Sequence, residues 1–166
     1  YASSGGVQAV ELPYAGDRIA MDILAPAEGQ FTAFESSLTT SVLDTLVGSL
    51  KPMGMSLAVP KFSFPSEIPM KDVLQDLGMK AVFEAGQADL SGMDGQRDLY
   101  VSGVYHKAFI KVDEQGTEAA AATGIGIAAS AAPALSVSID RPFVFLIRDR
   151  ESGAILFAGR VLDPTK

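Results

Sequence analysis

The chain has no cysteine, a single histidine and fewer basic than acidic residues, and each shortage closes off a line of function. Without cysteine there is no disulfide framework and no thiolate metal ligand. One histidine, His106, cannot build a histidine-based metal site. A Ser/His/Asp triad would have to use it, yet no Gly-x-Ser-x-Gly elbow is present to offer a nucleophile. His106 therefore reads as a buried or hydrogen-bonded structural residue on a strand. Lys and Arg number 13 against 20 Asp and Glu, a net charge of −7 with no basic run, which argues against nucleic acid and anionic membrane as partners. The chain opens at Tyr1 without a basic n-region leading into an apolar stretch, so no signal peptide is visible.

Long hydrophobic runs are also missing. Residues 119–139 carry no charge and are numerous enough to cross a bilayer. They are mostly Ala, Gly, Ser and Thr, interrupted by Pro133, and their only large aliphatics are Ile125, Ile127, Leu135 and Ile139 beside Val137. Such a segment is too weakly hydrophobic to be a span, and no membrane partner is expected.

What is present is a globular composition, 48% hydrophobic and 20% charged, on a length that fits one domain. Residues 7–12 and 19–24 read as strands joined by the turn Pro13-Tyr14-Ala15-Gly16-Asp17. Residues 31–38 suit a short helix. Val42, Leu43, Leu46, Val47 and Leu50 recur at helical spacing, with Thr39 or Thr40 as cap and Pro52 beyond the end. Residues 56–64 favour a strand, with Pro60 marking an edge or bulge. Met70, Val73, Leu74 and Leu77 form one face of a helix stopped by Gly78. A polar loop over 85–97 precedes a long strand over 99–112. Residues 143–147 are wholly apolar, as in a strand buried on both faces, and a turn over 149–153 leads to a last strand over 155–162. Strands and helices mix without βαβ alternation, so the class is α+β.

Gly124-Ile125-Gly126-Ile127-Ala128-Ala129 has the outline of a dinucleotide fingerprint but lacks the strand-to-helix context and the acidic residue that motif needs. Asp113, Glu114 and Glu118 read as solvated charges at a strand end. No cofactor and no metal are expected. The Ala-rich run holds a period of two instead. Thr117, Ala119, Ala121, Thr123, Ile125 and Ile127 share one face, and Glu118, Ala120, Ala122, Gly124, Gly126 and Ala128 the other. It suits both an exposed loop and the middle of a sheet, although composition alone favours a plain flexible linker.

The run Val112-Asp113-Glu114-Gln115-Gly116-Thr117-Glu118-Ala119-Ala120-Ala121-Ala122-Thr123 resembles the hinge of the serpin family. His106-Lys107-Ala108 lies upstream as it does there. Downstream, Arg141-Pro142-Phe143-Val144-Phe145-Leu146-Ile147 resembles the family's buried strand, and Phe157-Ala158-Gly159-Arg160-Val161 with Asp163-Pro164 its ending, though Asp163 stands where Asn is more usual. Val10-Glu11-Leu12-Pro13-Tyr14 and Pro60-Lys61-Phe62 are further such stretches.

The resemblance implies a serpin fold, of which residues 1–166 would be the C-terminal part of a single domain, with strands of the central and two smaller sheets, short helices and a reactive-centre loop over about 114–135. A serpin domain is more than twice this length, so an N-terminal segment would be a partner. The implied activity is inhibition of serine proteases as a suicide substrate. Glu114, Gly116, Thr117, Glu118, Ala119, Ala120, Ala121 and Ala122 would form the hinge. Ser130 and Ala131 would flank the reactive bond, and Thr117, Ala119, Ala121, Thr123, Ile125 and Ile127 would face inward once inserted. His106 would be structural near the base of the loop. Small residues at the bond suit an elastase-like or subtilisin-like protease, and the family setting is extracellular. A non-inhibitory carrier or chaperone of the same family, or a small α+β binding module with an Ala-rich linker, are the other readings.

Overall fold

The computed structural model describes residues 1–114, the backbone of 116 and 117, and 135–164. In chain order the elements are β1 (Ala2–Ser4), β2 (Val7–Pro13), β3 (Ile19–Pro26), α1 (Phe31–Ser37), α2 (Thr40–Gly48), β4 (Ser56–Ala58), β5 (Phe62–Pro69), α3 (Lys71–Asp76), a 3₁₀ turn (Ala81–Phe83), α4 (Ser91–Asp94), β6 (Tyr105–Asp113), β7 (Gly116–Thr117), β8 (Ser136–Ser138), β9 (Phe143–Asp149) and β10 (Ile155–Val161). They fall into two compact units, Tyr1–Phe62 with Lys111–Lys166, and Ser63–Ile110.

The first unit is built on an antiparallel sheet of order β1-β2-β3-β9-β10. Its centre, β3, is buried on both faces, with Ala20, Ile23 and Leu24 fully enclosed. One face is covered by the helices. Val7, Ala9, Leu24, Val144 and Leu146 meet Phe34 of α1 and Leu46 of α2, with Val42, Leu43 and Leu50 at the margin. Each of the larger of these side chains contributes about 1.5–3 kcal/mol on burial. Thr39 caps α2 by accepting from the Val42 amide at 3.3 Å, as its position before the apolar spacing predicts. On the other face, the Phe62 ring stacks against Phe143 and Phe145 at centroid distances of 5.8 and 5.5 Å. Gly159 lies opposite Phe145 in register, and a Cβ there would collide with the Phe145 ring. The wholly apolar stretch 143–147 is thus a strand enclosed on both sides, extended to Asp149.

The strand expected over 56–64 is two strands. β4 ends at Ala58 and β5 begins at Phe62, because Pro60 cannot donate to a ladder. The strand expected from 99 begins only at Tyr105. Residues before it are spent on loop bonds, Val101 N to Val82 O at 2.9 Å and Met70 N to Val104 O at 2.8 Å.

In the second unit α3 ends as expected at Gly78, which takes a left-handed φ of 101°. The stretch 85–97 is not all loop, since α4 makes one turn inside it. The buried residues of this unit are Phe83 and Ala88, with Lys71 Nζ 5.7 Å from the Phe83 centroid in cation–π range. Lys107 of β6 and Glu67 of β5 form an ion pair at 3.0 Å between adjacent strands.

Candidate functional site

The hinge residues predicted from the sequence start in a tight turn. β6 runs to Asp113, the chain reverses through Glu114, and β7 returns antiparallel, with Asp113 opposite Gly116 and Val112 opposite Thr117. Glu114 is exposed and pairs with Lys61 in the link between β4 and β5. The Lys61 hydrogen bond holds the Glu114 carboxyl below the usual glutamate range. Asp113 is half-buried and reaches Lys111 at 3.1 Å. Of the three acids expected to be solvated charges at a strand end, Glu114 is exposed and Asp113 half-buried, both in ion pairs, while Glu118 lies outside the described residues.

So do Ala119, Ala120, Ala121, Ala122, Thr123, Ile125, Ile127, Ser130 and Ala131, together with the glycines of the dinucleotide-like motif. The described chain continues from Leu135. The Ser56 amide donates to Leu135 O at 2.9 Å, β8 runs parallel to β4 with Val137 opposite Leu57, and the Ile139 amide donates to Ala58 O at 2.9 Å. Val137 and Ile139 are buried, so the end of the uncharged 119–139 run is sheet and core. Arg141 then anchors the approach to β9 by donating Nε to Pro26 O at 2.7 Å and a second nitrogen to Gln8 Oε1.

His106 lies on β6, as expected, and is exposed rather than buried. Among the described residues no group of three His, Asp or Glu could hold a metal, and no helix is long and apolar enough to cross a membrane.

A family model described as Serpin (serine protease inhibitor) matches residues 1–164. The chain belongs to the serpin family. It is 40% identical over 164 residues to neuroserpin of Gallus gallus, covering 97% of this chain and 40% of that protein. It is 39% identical over 169 residues to an uncharacterised serpin-like protein of Thermococcus kodakarensis, covering 99% and 39%. Among solved structures, the native state of the thermophilic serpin tengpin superposes with a TM-score of 0.81 at 32% identity, over 98% of this chain and 43% of that one. Thyroxine-binding globulin in complex with thyroxine superposes at 0.79 with 28% identity, over 97% and 42%. The chain therefore spans about two fifths of the length of the serpins it matches. The expected serpin fold is what the structural neighbours have.

One feature of this serpin chain escaped sequence reading. Arg148 of β9 is buried and donates Nε to Asp22 of β3 and Nη2 to Glu11 of β2, and Glu11 also binds Arg150 at 3.1 Å. Nearby, Asp149 accepts from the Ser152 and Glu151 amides at 3.0 and 2.9 Å and from Arg18 Nε at 2.8 Å. The Ser152 amide and then the Arg18 bond bring its pKa down to about 2. Asp22 in β3, and Arg148 and Asp149 ending β9, are charged residues inside two otherwise apolar strands and were the available signal, because buried charges are retained in pairs.

Proposed function

We propose that residues 1–166 are the C-terminal part of one serpin domain, and that the whole protein inhibits serine proteases by offering residues of about 114–135 as bait. The observation that carries this reading is the short return strand β7. Gly116 and Thr117, which follow Glu114 in the proposed hinge, pair antiparallel with the end of β6. Extending that pairing past Thr117 would add a new strand, and the residues that follow are small enough to enter a sheet.

The attacking protease's serine oxygen would bond to the Ser130 carbonyl carbon. The bond to the Ala131 nitrogen then breaks, leaving Ser130 as an acyl-enzyme ester and Ala131 as a new amino terminus. Insertion has to outrun hydrolysis of that ester. Ordering the backbone costs about 1–2 kcal/mol per residue, and alanine adds no side-chain entropy to that cost. New ladder hydrogen bonds and burial of Ile125 and Ile127 oppose it. As a strand, residues 117–130 span roughly 46 Å at about 3.3 Å each, enough to carry a tethered protease across a domain. The protein is substrate rather than enzyme in this scheme, which uses no cofactor or metal. Small residues at the bond select an elastase-like or subtilisin-like pocket, and an extracellular setting belongs to the same proposal.

A carrier function has one point in its favour, the likeness to thyroxine-binding globulin. Carriage leaves the all-small run from Ala119 to Ala122 without a purpose, so inhibition is preferred. The test is incubation of the full-length protein with an elastase-type protease, followed by denaturing electrophoresis and mass spectrometry of the released peptide. A covalent complex and a peptide beginning at Ala131 are expected. Cleavage outside residues 128–132, or simple digestion without a complex, refutes the assignment.

A further inference from the structure

Asp22 lies mid-way along β3 and is 1% exposed. Its neighbours in register are Glu11 on β2 and Leu146 on β9. Oδ2 accepts from Arg148 Nε, while Oδ1 is buried without a hydrogen-bond partner among the described residues. Arg148 is shared, because its Nη2 serves Glu11. The charged groups facing Asp22 are thus Glu11 from β2, Arg148 from β9 and Arg150 just beyond β9. The helices over this face add none. Asp44 of α2 is exposed, and Glu35 of α1 is taken by Arg160 of β10 at 2.6 Å. Asp149 alternates to the opposite side of β9 from Arg148 and is occupied by Arg18.

We propose that Asp22 is a proton-binding lock in the five-stranded sheet, taking up a proton on mild acidification and holding the sheet more tightly in that form. Two carboxylates compete for one enclosed guanidinium, and an ionised Asp22 leaves one buried oxygen without a donor among the described residues. Burial disfavours the charge and outweighs the attraction of Arg148, while Glu11 pushes the same way as burial, so the Asp22 carboxyl is raised above the ordinary aspartate range.

The sign follows. With its folded pKa above the unfolded one, Asp22 binds a proton in the native state at pH values where the unfolded chain does not. Its contribution is complete below the ordinary value and is lost as pH rises through the folded pKa. Asp149 behaves oppositely. Its contribution is present above the ordinary value and fades as pH falls toward about 2. The lock is independent of the inhibitory mechanism proposed above.

The experiment is urea unfolding of the native full-length protein and its Asp22→Asn variant from pH 4 to pH 8. The variant lacks the titration, so its midpoint relative to the unaltered protein is expected to shift upward as pH rises. A difference that is constant, or that shifts downward, overturns the proposal, because Asp22 would then be ionised throughout or favoured by its partners as the anion. Should Asp22→Asn fail to fold, difference infrared spectroscopy of the unaltered protein labelled with ¹³C-aspartate decides alone. An isotope-shifted carbonyl band of a protonated carboxyl must persist above the pH at which exposed aspartates have ionised. Its absence ends the idea.

Discussion

Thr117→Arg is expected to convert the full-length protein from inhibitor to substrate. Thr117 is the last residue of β7 and the first whose side chain would enter the lengthened sheet on the proposed inward face. An arginine there carries a charge into a sheet interior with no prepared partner, at an effective cost of several kcal/mol. Each increment of about 1.4 kcal/mol on the insertion barrier slows it about tenfold. Hydrolysis of the acyl-enzyme is unaffected by the substitution, so it wins by two orders of magnitude or more. The protease should still cut the loop at the unchanged bond and then leave, with the covalent complex lost from denaturing gels. Thr117→Ser, which keeps the size and the polarity, should retain the complex. A stable complex formed by the arginine variant at normal stoichiometry would contradict loop insertion as the trapping step.

The second large effect concerns the sheet itself. Arg148→Ala removes the guanidinium that serves both Asp22 and Glu11, leaving a fully buried carboxylate without its partner. Breaking a buried pair from one side costs about 3–5 kcal/mol, measurable as a lowered urea midpoint at neutral pH. The loss should shrink on acidification, because protonation of Asp22 removes the charge that needs the cation. Replacing both partners, with Arg148→Met and Asp22→Leu together, should recover much of the stability, since apolar groups of similar size refill the site without a charge. A cost below about 1 kcal/mol for Arg148→Ala would place the pair in water, contrary to its burial.

The parts of this fold legible in the sequence are those where burial leaves one pattern available. β3 and β9 read correctly because both faces are enclosed and almost every position is apolar. α2 read correctly because Thr39 precedes a run at helical spacing. β1 and β8, Ala-Ser-Ser and Ser-Val-Ser, carry too few apolar residues to show a period, and only their neighbours in the sheet make them strands. Leu99, Val101 and Val104 looked like strand for the opposite reason, being apolar residues in a segment whose backbone bonds go to loops. At the candidate site, small residues in alternation were visible without any structure, and so was the family. The Lys61–Glu114 ion pair beside the start of the hinge was not, because it joins positions more than fifty residues apart. The pairing of Asp22 with Arg148 stayed hidden for the same reason, since sheet order rather than sequence distance sets β3 beside β9.

The most direct test is thermal unfolding of the full-length protein before and after a single cut in the loop by a protease that the protein does not trap. Once cut, the small-residue run is free to become a sheet strand, and the account predicts a sharply higher unfolding temperature for the nicked protein. An unfolding temperature unchanged or lowered by the cut would mean that the run is a linker, and the account would fail.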